Sequence, residues 1–200
     1  MVSISNPAER LPDGNRKVLS PQSLRCVKED TDMTEQGFPL TAFYSGWGSY
    51  QRSLVRIIAP LSPEQLALPS APHHWSIGMV VQHIVANRVF WFQTWMGEGN
   101  PDLAPIATWG WGQEDRPVGS AAELVVKLEA TWQMIEDALA RWTPADLGDL
   151  VSVPEEEQGR FSERTRQWII WHVLEHEIHH GGELSLALGA HGLEGIYGTM

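Results

Sequence analysis

The segment WIIWHVLEHEIHHGGE, residues 168–183, contains four of the eight histidines in the chain. If it forms a helix, His172, His176 and His180 project from one face, because residues four apart lie one above the other. Two imidazoles one turn apart are close enough to bind the same metal ion. The segment therefore predicts that His176 and His180 chelate a metal, with His172 as a third candidate ligand or a supporting group.

Composition predicts one globular domain behind a flexible extension. The chain has 200 residues, 42% of them hydrophobic, which suits one buried core better than two. Residues 1–36 are rich in proline, serine and charged residues and show no sustained periodicity, as is typical of a flexible segment. We therefore predict an N-terminal extension over residues 1–36 and a folded domain over residues 37–200.

Charge and cysteine usage restrict the partners and the compartment. The formal net charge is -11, whereas a nucleic-acid-binding surface needs clustered lysine and arginine. No run of eighteen apolar residues occurs, so no membrane-spanning helix is predicted. The single cysteine, Cys26, cannot form an internal disulfide, which suggests a reducing compartment. We therefore expect a cytoplasmic protein that binds neither nucleic acid nor membrane.

Hydrophobic periodicity predicts four long helices. They span about residues 40–60, 76–96, 120–142 and 162–188. Ser62, Ser76 and Ser120 precede helical segments as N-caps, and Ser62 and Ser120 are followed three residues later by the glutamine or glutamate of a capping box. The pattern therefore predicts an all-α fold.

The connection between the second and third predicted helices, residues 97–119, is dense in glycine and proline. A connection of this length in a compact domain is usually functional or disordered. Its two tryptophans, Trp109 and Trp111, are exposed in this reading and favour a lid or an interaction surface. His73 and His74 lie in the loop before the second predicted helix, and they are predicted to lie at the edge of the pocket around the other histidines.

The pattern W-x-I-x-x-V-x-x-H occurs twice, ending at His83 and at His176. This repeat predicts two equivalent helical hairpins with a pseudo-twofold relation, so that the second and fourth helices are partners in a four-helix bundle. His83 would then meet His176 across the core, and Asn87 would occupy the position equivalent to His180. The predicted metal ligands are therefore His83, His176 and His180.

Three neutral imidazoles suit a divalent transition metal, with Zn or Ni expected ahead of Fe or Mn. Three protein ligands leave a coordination position for water or substrate, which is the arrangement of a catalytic metal site. Asn87 and Trp91 are candidate residues of the adjoining pocket. Glu177, Glu183 and His172 are candidate groups for proton transfer.

Two other metal motifs compete for the same residues. Residues 176–180 match H-E-x-x-H, the zinc-protease signature in which Glu177 would act as a general base. The extended form of that motif needs glycine and histidine where this chain has Glu183 and Leu186, so a protease is less favoured. A di-iron bundle would need Glu-x-x-His on a second helix, where Val80 replaces the glutamate.

The residues around these histidines resemble the DinB-like superfamily, which includes the YfiT-like metal-dependent hydrolases. The resemblance is carried by WSIGMVVQHIVANRVFW, residues 75–91, and WIIWHVLEHEIHHGGELSLALGAHG, residues 168–192. It implies a homodimeric four-helix bundle of the up-down-down-up type, with a divalent metal held by the three predicted histidines. The family commonly has Arg-Gly after its last histidine, whereas this chain has Gly181-Gly182.

Characterised relatives in this superfamily include transferases and isomerases that use low-molecular-weight thiols, and a metal would lower the pKa of such a thiol. The resemblance therefore implies a metal-dependent enzyme acting on a small molecule, either a thiol-dependent S-transferase or a hydrolase. The thiol would be bacillithiol, mycothiol or glutathione. The alternative is a non-catalytic bundle in which the metal is structural or the surface binds a partner.

Overall fold

The structure is a computed structural model, and it describes residues 39–71, 75–109 and 117–198. Helices dominate these residues, which confirms the predicted all-α class. The predicted extension over residues 1–36 lies outside the described residues, and its boundary stays a prediction. Within the described ranges, no helix is both long enough and apolar enough to cross a bilayer.

Five α-helices form the framework, and α3 passes directly into a π-helix. The α-helices are α1 (Ser45–Ile58), α2 (Pro63–Leu66), α3 (Ile77–Arg88), α4 (Ala121–Arg141) and α5 (Arg166–Ala190), and the π-helix is Val89–Trp95. Short 3-10 helices cover Leu40–Ala42, Pro101–Thr108, Pro144–Gly148 and Glu155–Glu157. Two short strands, β1 (Leu150–Val151) and β2 (Arg164–Thr165), pair antiparallel.

The helix ends differ from the predicted ones for local reasons. The first helix was expected from Leu40, but residues 40–42 form a 3-10 turn and α1 starts at Ser45. The last helix was expected from Ser162, but it starts at Arg166 because β2 takes up the two preceding residues. The connection over 97–119 contains the 3-10 helix Pro101–Thr108, which the sequence did not predict.

The predicted N-caps are formed. Ser62 and Ser120 each accept a hydrogen bond from the backbone N–H three residues later, and the side chains of Gln65 and Glu123 accept from the cap N–H in return. Ser76 caps α3 through the N–H of Met79. These caps satisfy backbone donors that the first helical turn leaves without partners.

α3 is the central helix of the domain. It packs against both α4 and α5, while α1 packs against α4. Every residue from Val80 to Phe92 is buried, so the polar side chains in that stretch must find partners inside the protein. Those side chains, which include His83, Asn87 and Arg88, position the candidate site.

α1 approaches the backbone of α5 closely beside His176 and His180. The hydroxyl of Tyr50 donates a hydrogen bond to the backbone carbonyl of Glu177, with an oxygen–oxygen distance of 2.7 Å. A Cβ atom added to Gly181 would lie 1.5 Å from the same hydroxyl, so this position has no room for a side chain. The packing explains why the residue after His180 is glycine in this chain.

Replacing Gly181 with alanine is expected to destabilise the fold by about 1–3 kcal/mol, because the new methyl group overlaps Tyr50. The matched control is Gly182→Ala, since a Cβ at that exposed helical position meets no atom within 4 Å. The control should stabilise the protein by about 0.5–1 kcal/mol. Thermal unfolding followed by circular dichroism measures both changes, and equal midpoints for the two variants would contradict the packing.

Candidate metal centre

His83 on α3 meets His176 and His180 on α5. The Nε2 atoms of His83 and His176 are 2.9 Å apart. The ring centroid of His180 lies 4.8 Å from that of His83 and 4.4 Å from that of His176. One ligand nitrogen from each residue falls within 4.8 Å of the others. The three residues, here called the histidine trio, are therefore brought together as the internal repeat predicted.

Two rows of side chains face each other along α3 and α5. His83 on α3 contacts His176 and His180. Two turns further along, Trp91 in the π-helix that continues α3 contacts His172, with ring centroids 5.1 Å apart. Residue numbers increase from His83 to Trp91 along one row and decrease from His180 to His172 along the other. α3 and α5 therefore run antiparallel, and Asn87 lies between His83 and Trp91 on the same face of α3.

The spacing of His83 and His176 fits two ligands of one metal ion. Metal–nitrogen bonds of about 2.0–2.1 Å place two histidine nitrogens about 2.9 Å apart at a right angle and about 3.3 Å apart at the tetrahedral angle. The 2.9 Å between the nitrogens of His83 and His176 agrees with the first value. The trio supplies three imidazoles, whereas a closed structural zinc site uses four protein ligands.

Glu183 holds the ring of His180 in place. Its Oε2 atom lies 2.9 Å from Nδ1 of His180, and its Oε1 atom accepts a hydrogen bond of 2.8 Å from the hydroxyl of Ser70. Burial alone would raise the pKa of Glu183, but the hydrogen bonds from His180 and Ser70 lower it. An ionised Glu183 keeps the proton of His180 on Nδ1, which leaves Nε2 free to bind metal.

The two imidazoles on α5 are held in the neutral form that metal binding requires. Burial lowers the pKa of His176 to about 3, and the neighbouring His180 and His83 contribute to this shift. Burial also lowers the pKa of His180, against the opposing effect of Glu183. Both side chains are therefore neutral at pH 7, so they present lone pairs rather than positive charges.

A second group of possible ligands, His179, His180 and Glu183, also lies within 4.8 Å. His179 is exposed, and Glu183 already shares a proton with His180. The trio has the better arrangement for a metal because its members come from two helices and are at least partly buried.

His172 lies beside the trio and not within it. Its ring stacks on Trp168 with centroids 4.8 Å apart and meets the edge of Trp91. The centroid of His176 is 6.1 Å away. Burial lowers the pKa of His172, so it is neutral at pH 7 and available as a base. This position agrees with a supporting role better than with metal ligation.

Glu177 does not join the histidines. It is fully buried, and its carboxylate binds the guanidinium of Arg88 and the indole N–H of Trp47. One residue along a helix turns the side chain by about 100°, so Glu177 faces the core while His176 faces α3. This placement does not support the proton-transfer role predicted for Glu177, nor the general base of a zinc protease.

The predicted pocket residues Asn87 and Trp91 are both buried. Trp91 belongs to an aromatic cluster that also contains Phe90, Trp95, Phe161 and Trp168. Within the described part of the chain, neither the amide nitrogen of Asn87 nor the indole nitrogen of Trp91 has a hydrogen-bond acceptor. Their burial agrees with the position predicted for them beside the histidines.

Of the predicted loop residues His73, His74, Trp109 and Trp111, the structure describes Trp109. His73, His74 and Trp111 lie outside the described residues. Trp109 was expected to be exposed, but it is partly buried against the core, with the ammonium of Lys127 4.3 Å from its ring centroid. Residues distant in sequence, such as Lys127, pack on this connection and cover part of the ring.

The sequence reasoning missed Arg88 and Ser70. Arg88 carries a detectable signal, because an arginine within an otherwise apolar helical stretch must be paired if that stretch is buried. Ser70 has no such signal, since its contact with Glu183 joins residues 113 positions apart.

The low pKa of His176 predicts how stability depends on pH in the metal-free protein. The folded pKa is about 3, whereas an unfolded histidine titrates near 6.5. The unfolded state then binds more protons in this range, so this contribution to stability is lost as the pH falls from about 6.5 to about 3. Chemical unfolding of chelator-treated protein across this range should show a smaller fall for His176→Gln than for wild type, and equal slopes would contradict the shift.

The part of the chain that contains the histidine trio is similar to known proteins. The family model described as the DinB superfamily matches residues 49–184. A crystal structure of a DinB-like protein from Bacillus cereus superposes with a TM-score of 0.58 at 21% sequence identity, covering 78% of this chain and 94% of that one. At this identity, the superposition demonstrates a shared fold alone. No curated protein matches the chain significantly. Because the family model covers more than half of its residues, the chain belongs to the DinB superfamily.

Proposed function

We propose that this protein is a divalent-metal-dependent enzyme that acts on a small molecule. The observation that carries the proposal is the histidine trio, three imidazoles from two helices with their nitrogens within 4.8 Å. The family membership agrees with this proposal, since the same three histidines are those that the family resemblance implies. The charge of -11 disfavours nucleic acid as the substrate.

Zn or Ni is the proposed metal, ahead of Fe or Mn, because the ligand set is neutral imidazole. A metal held by three such ligands can bind water or a thiol in a remaining position and lower its pKa. Glu183 and Ser70 fix the orientation of His180. His172 is the proposed proton acceptor, since it is neutral at pH 7 and adjoins His176.

The proposed reaction is thiol-dependent S-transfer or hydrolysis, as the family resemblance implies. Trp91, Trp168 and His172 form an aromatic wall beside the trio and would limit access of water to a bound substrate. We further propose a homodimer and the up-down-down-up helix order, of which the antiparallel contact of α3 with α5 is one part. The alternative remains a bundle whose metal is structural.

Removing one histidine of the trio should abolish tight metal binding. Purified wild type should contain about one equivalent of Zn or Ni by elemental analysis, and His83→Ala and His176→Ala should contain much less, because two imidazoles cannot replace three. His191→Ala is the control, since this histidine is exposed at the end of α5 and does not belong to the trio, and its ring nitrogen lies 3.3 Å from the carbonyl of Pro69. The variant His179→Ala tests the second ligand group and should keep its metal.

The metal hypothesis is wrong if wild type carries no metal and if added Zn or Ni binds to it no more tightly than to His83→Ala.

An open site that takes a thiol should show it spectroscopically. In cobalt-substituted protein, added glutathione or bacillithiol should produce a thiolate-to-cobalt charge-transfer band, because the trio leaves a coordination position. S-methylglutathione, which has no thiol, should not. A spectrum that responds to azide but to no thiol would favour hydrolysis over S-transfer. A spectrum that responds to nothing would support the structural alternative.

A further inference from the structure

Arg88 and Glu177 form an ion pair that is buried completely. Arg88 is the last residue of α3 and Glu177 lies in the middle of α5, and the side chains of both have no solvent exposure. The guanidinium binds both carboxylate oxygens, with nitrogen–oxygen distances of 2.6 and 2.8 Å. This bidentate geometry restricts both the separation and the relative orientation of the two side chains.

The guanidinium also reaches the other two long helices. It donates to the side-chain oxygen of Gln51 on α1 at 2.8 Å, and to the backbone carbonyl of Leu128 on α4 at 3.0 Å. Gln51 itself donates to the carbonyl of Leu128. A single arginine on α3 therefore contacts α1, α4 and α5 together.

The carboxylate that binds Arg88 belongs to Glu177, which lies between the two proposed metal ligands of α5. Glu177 follows His176 directly and precedes His180 by three residues. Besides Arg88 it binds the indole N–H of Trp47 at 2.9 Å, and its backbone carbonyl accepts from the hydroxyl of Tyr50. The segment of α5 that carries both ligands is thus held from its core side by α1 and α3.

A shift of α5 along α3 by one residue would move each α5 side chain by 1.5 Å and rotate it by about 100°. Such a shift would separate His176 and His180 from His83, whose nitrogen lies 2.9 Å from that of His176. The Arg88–Glu177 pair opposes it, because the shift would break a bidentate contact and leave two buried charges unpaired. Hydrophobic packing between α3 and α5 fixes the register less well than the ion pair does, because the hydrophobic effect is non-directional.

From these contacts we propose that Arg88 and Glu177 are positioning residues for the metal centre. They set the register of α5 against α3 and so hold His176 and His180 opposite His83. The glutamate of the H-E-x-x-H string then acts through the backbone of its own helix and does not touch substrate or metal. This inference rests on the proposed metal-binding function.

The test uses Glu177→Gln and Arg88→Lys in the full chain. Glu177→Gln keeps the volume but places an amide N–H against donors, and Arg88→Lys keeps the charge but loses the planar fork. Both should bind Zn at least about ten-fold more weakly than wild type in chelator competition, as is usual when groups that orient ligands are changed. Their cobalt spectra should also differ from the wild-type spectrum.

Leu139→Ala is the matched control for general loss of stability. Leu139 is buried in the core on α4 and is not among the residues that bind the trio or the ion pair. Measurements are made at a temperature at which circular dichroism shows each variant to be folded. The control should lower the unfolding midpoint but keep the zinc affinity and the cobalt spectrum of wild type. If Glu177→Gln behaves as this control does, the ion pair is only structural and the inference is wrong.

A metal-free readout separates this inference from the proposed function. In apo wild type, ring protons of His83 and His176 should show a nuclear Overhauser effect, since their centroids are 4.7 Å apart. The effect should weaken in Glu177→Gln and persist in Leu139→Ala. If wild type binds no metal, the proposed function fails while this comparison still tests the register. An unchanged effect in Glu177→Gln would overturn the positioning role.

Discussion

The buried contact between Arg88 and Glu177 is the constraint on which the rest of the structure depends. Removing two charges from water carries a large penalty, which is offset only when geometry and hydrogen bonding are nearly complete. Here the guanidinium and carboxylate have partners on all four long helices, through Gln51, Leu128 and Trp47 as well as each other. A bundle that satisfies both charges in this way has few alternative arrangements of its helices.

The candidate site combines two copies of one sequence pattern that differ after their last histidine. The same pattern ends at His83 in the first half and at His176 in the second, and these two residues meet in the structure. One turn later the second half has His180, where the first half has the buried Asn87. The candidate metal centre is therefore asymmetric, with one histidine from α3 and two from α5.

Adjacent faces of α5 have different roles. His172, His176 and His180 face His83 and Trp91, whereas Glu177 and Gly181 face α1. Helical geometry requires this separation, since neighbours in sequence point about 100° apart. Residues 176–180 thus match the sequence of the H-E-x-x-H protease motif, but Glu177 does not lie with the histidines as the general base of a protease would. This glutamate belongs to the packing of the bundle, and Gly181 accommodates Tyr50.

By itself, the sequence determined the helical class, the capped helix starts and the three histidines, because periodicity, capping and an internal repeat are local or repeated patterns. It could not determine the partners of Glu177, since Arg88 lies 89 residues away and Trp47 130 residues away. The same holds for Ser70, which orients His180 through Glu183. Contacts of this kind depend on which helix faces which, and only the tertiary packing decides that. The proximity of the three histidines was therefore predictable from sequence, whereas the residues that hold them in position were not.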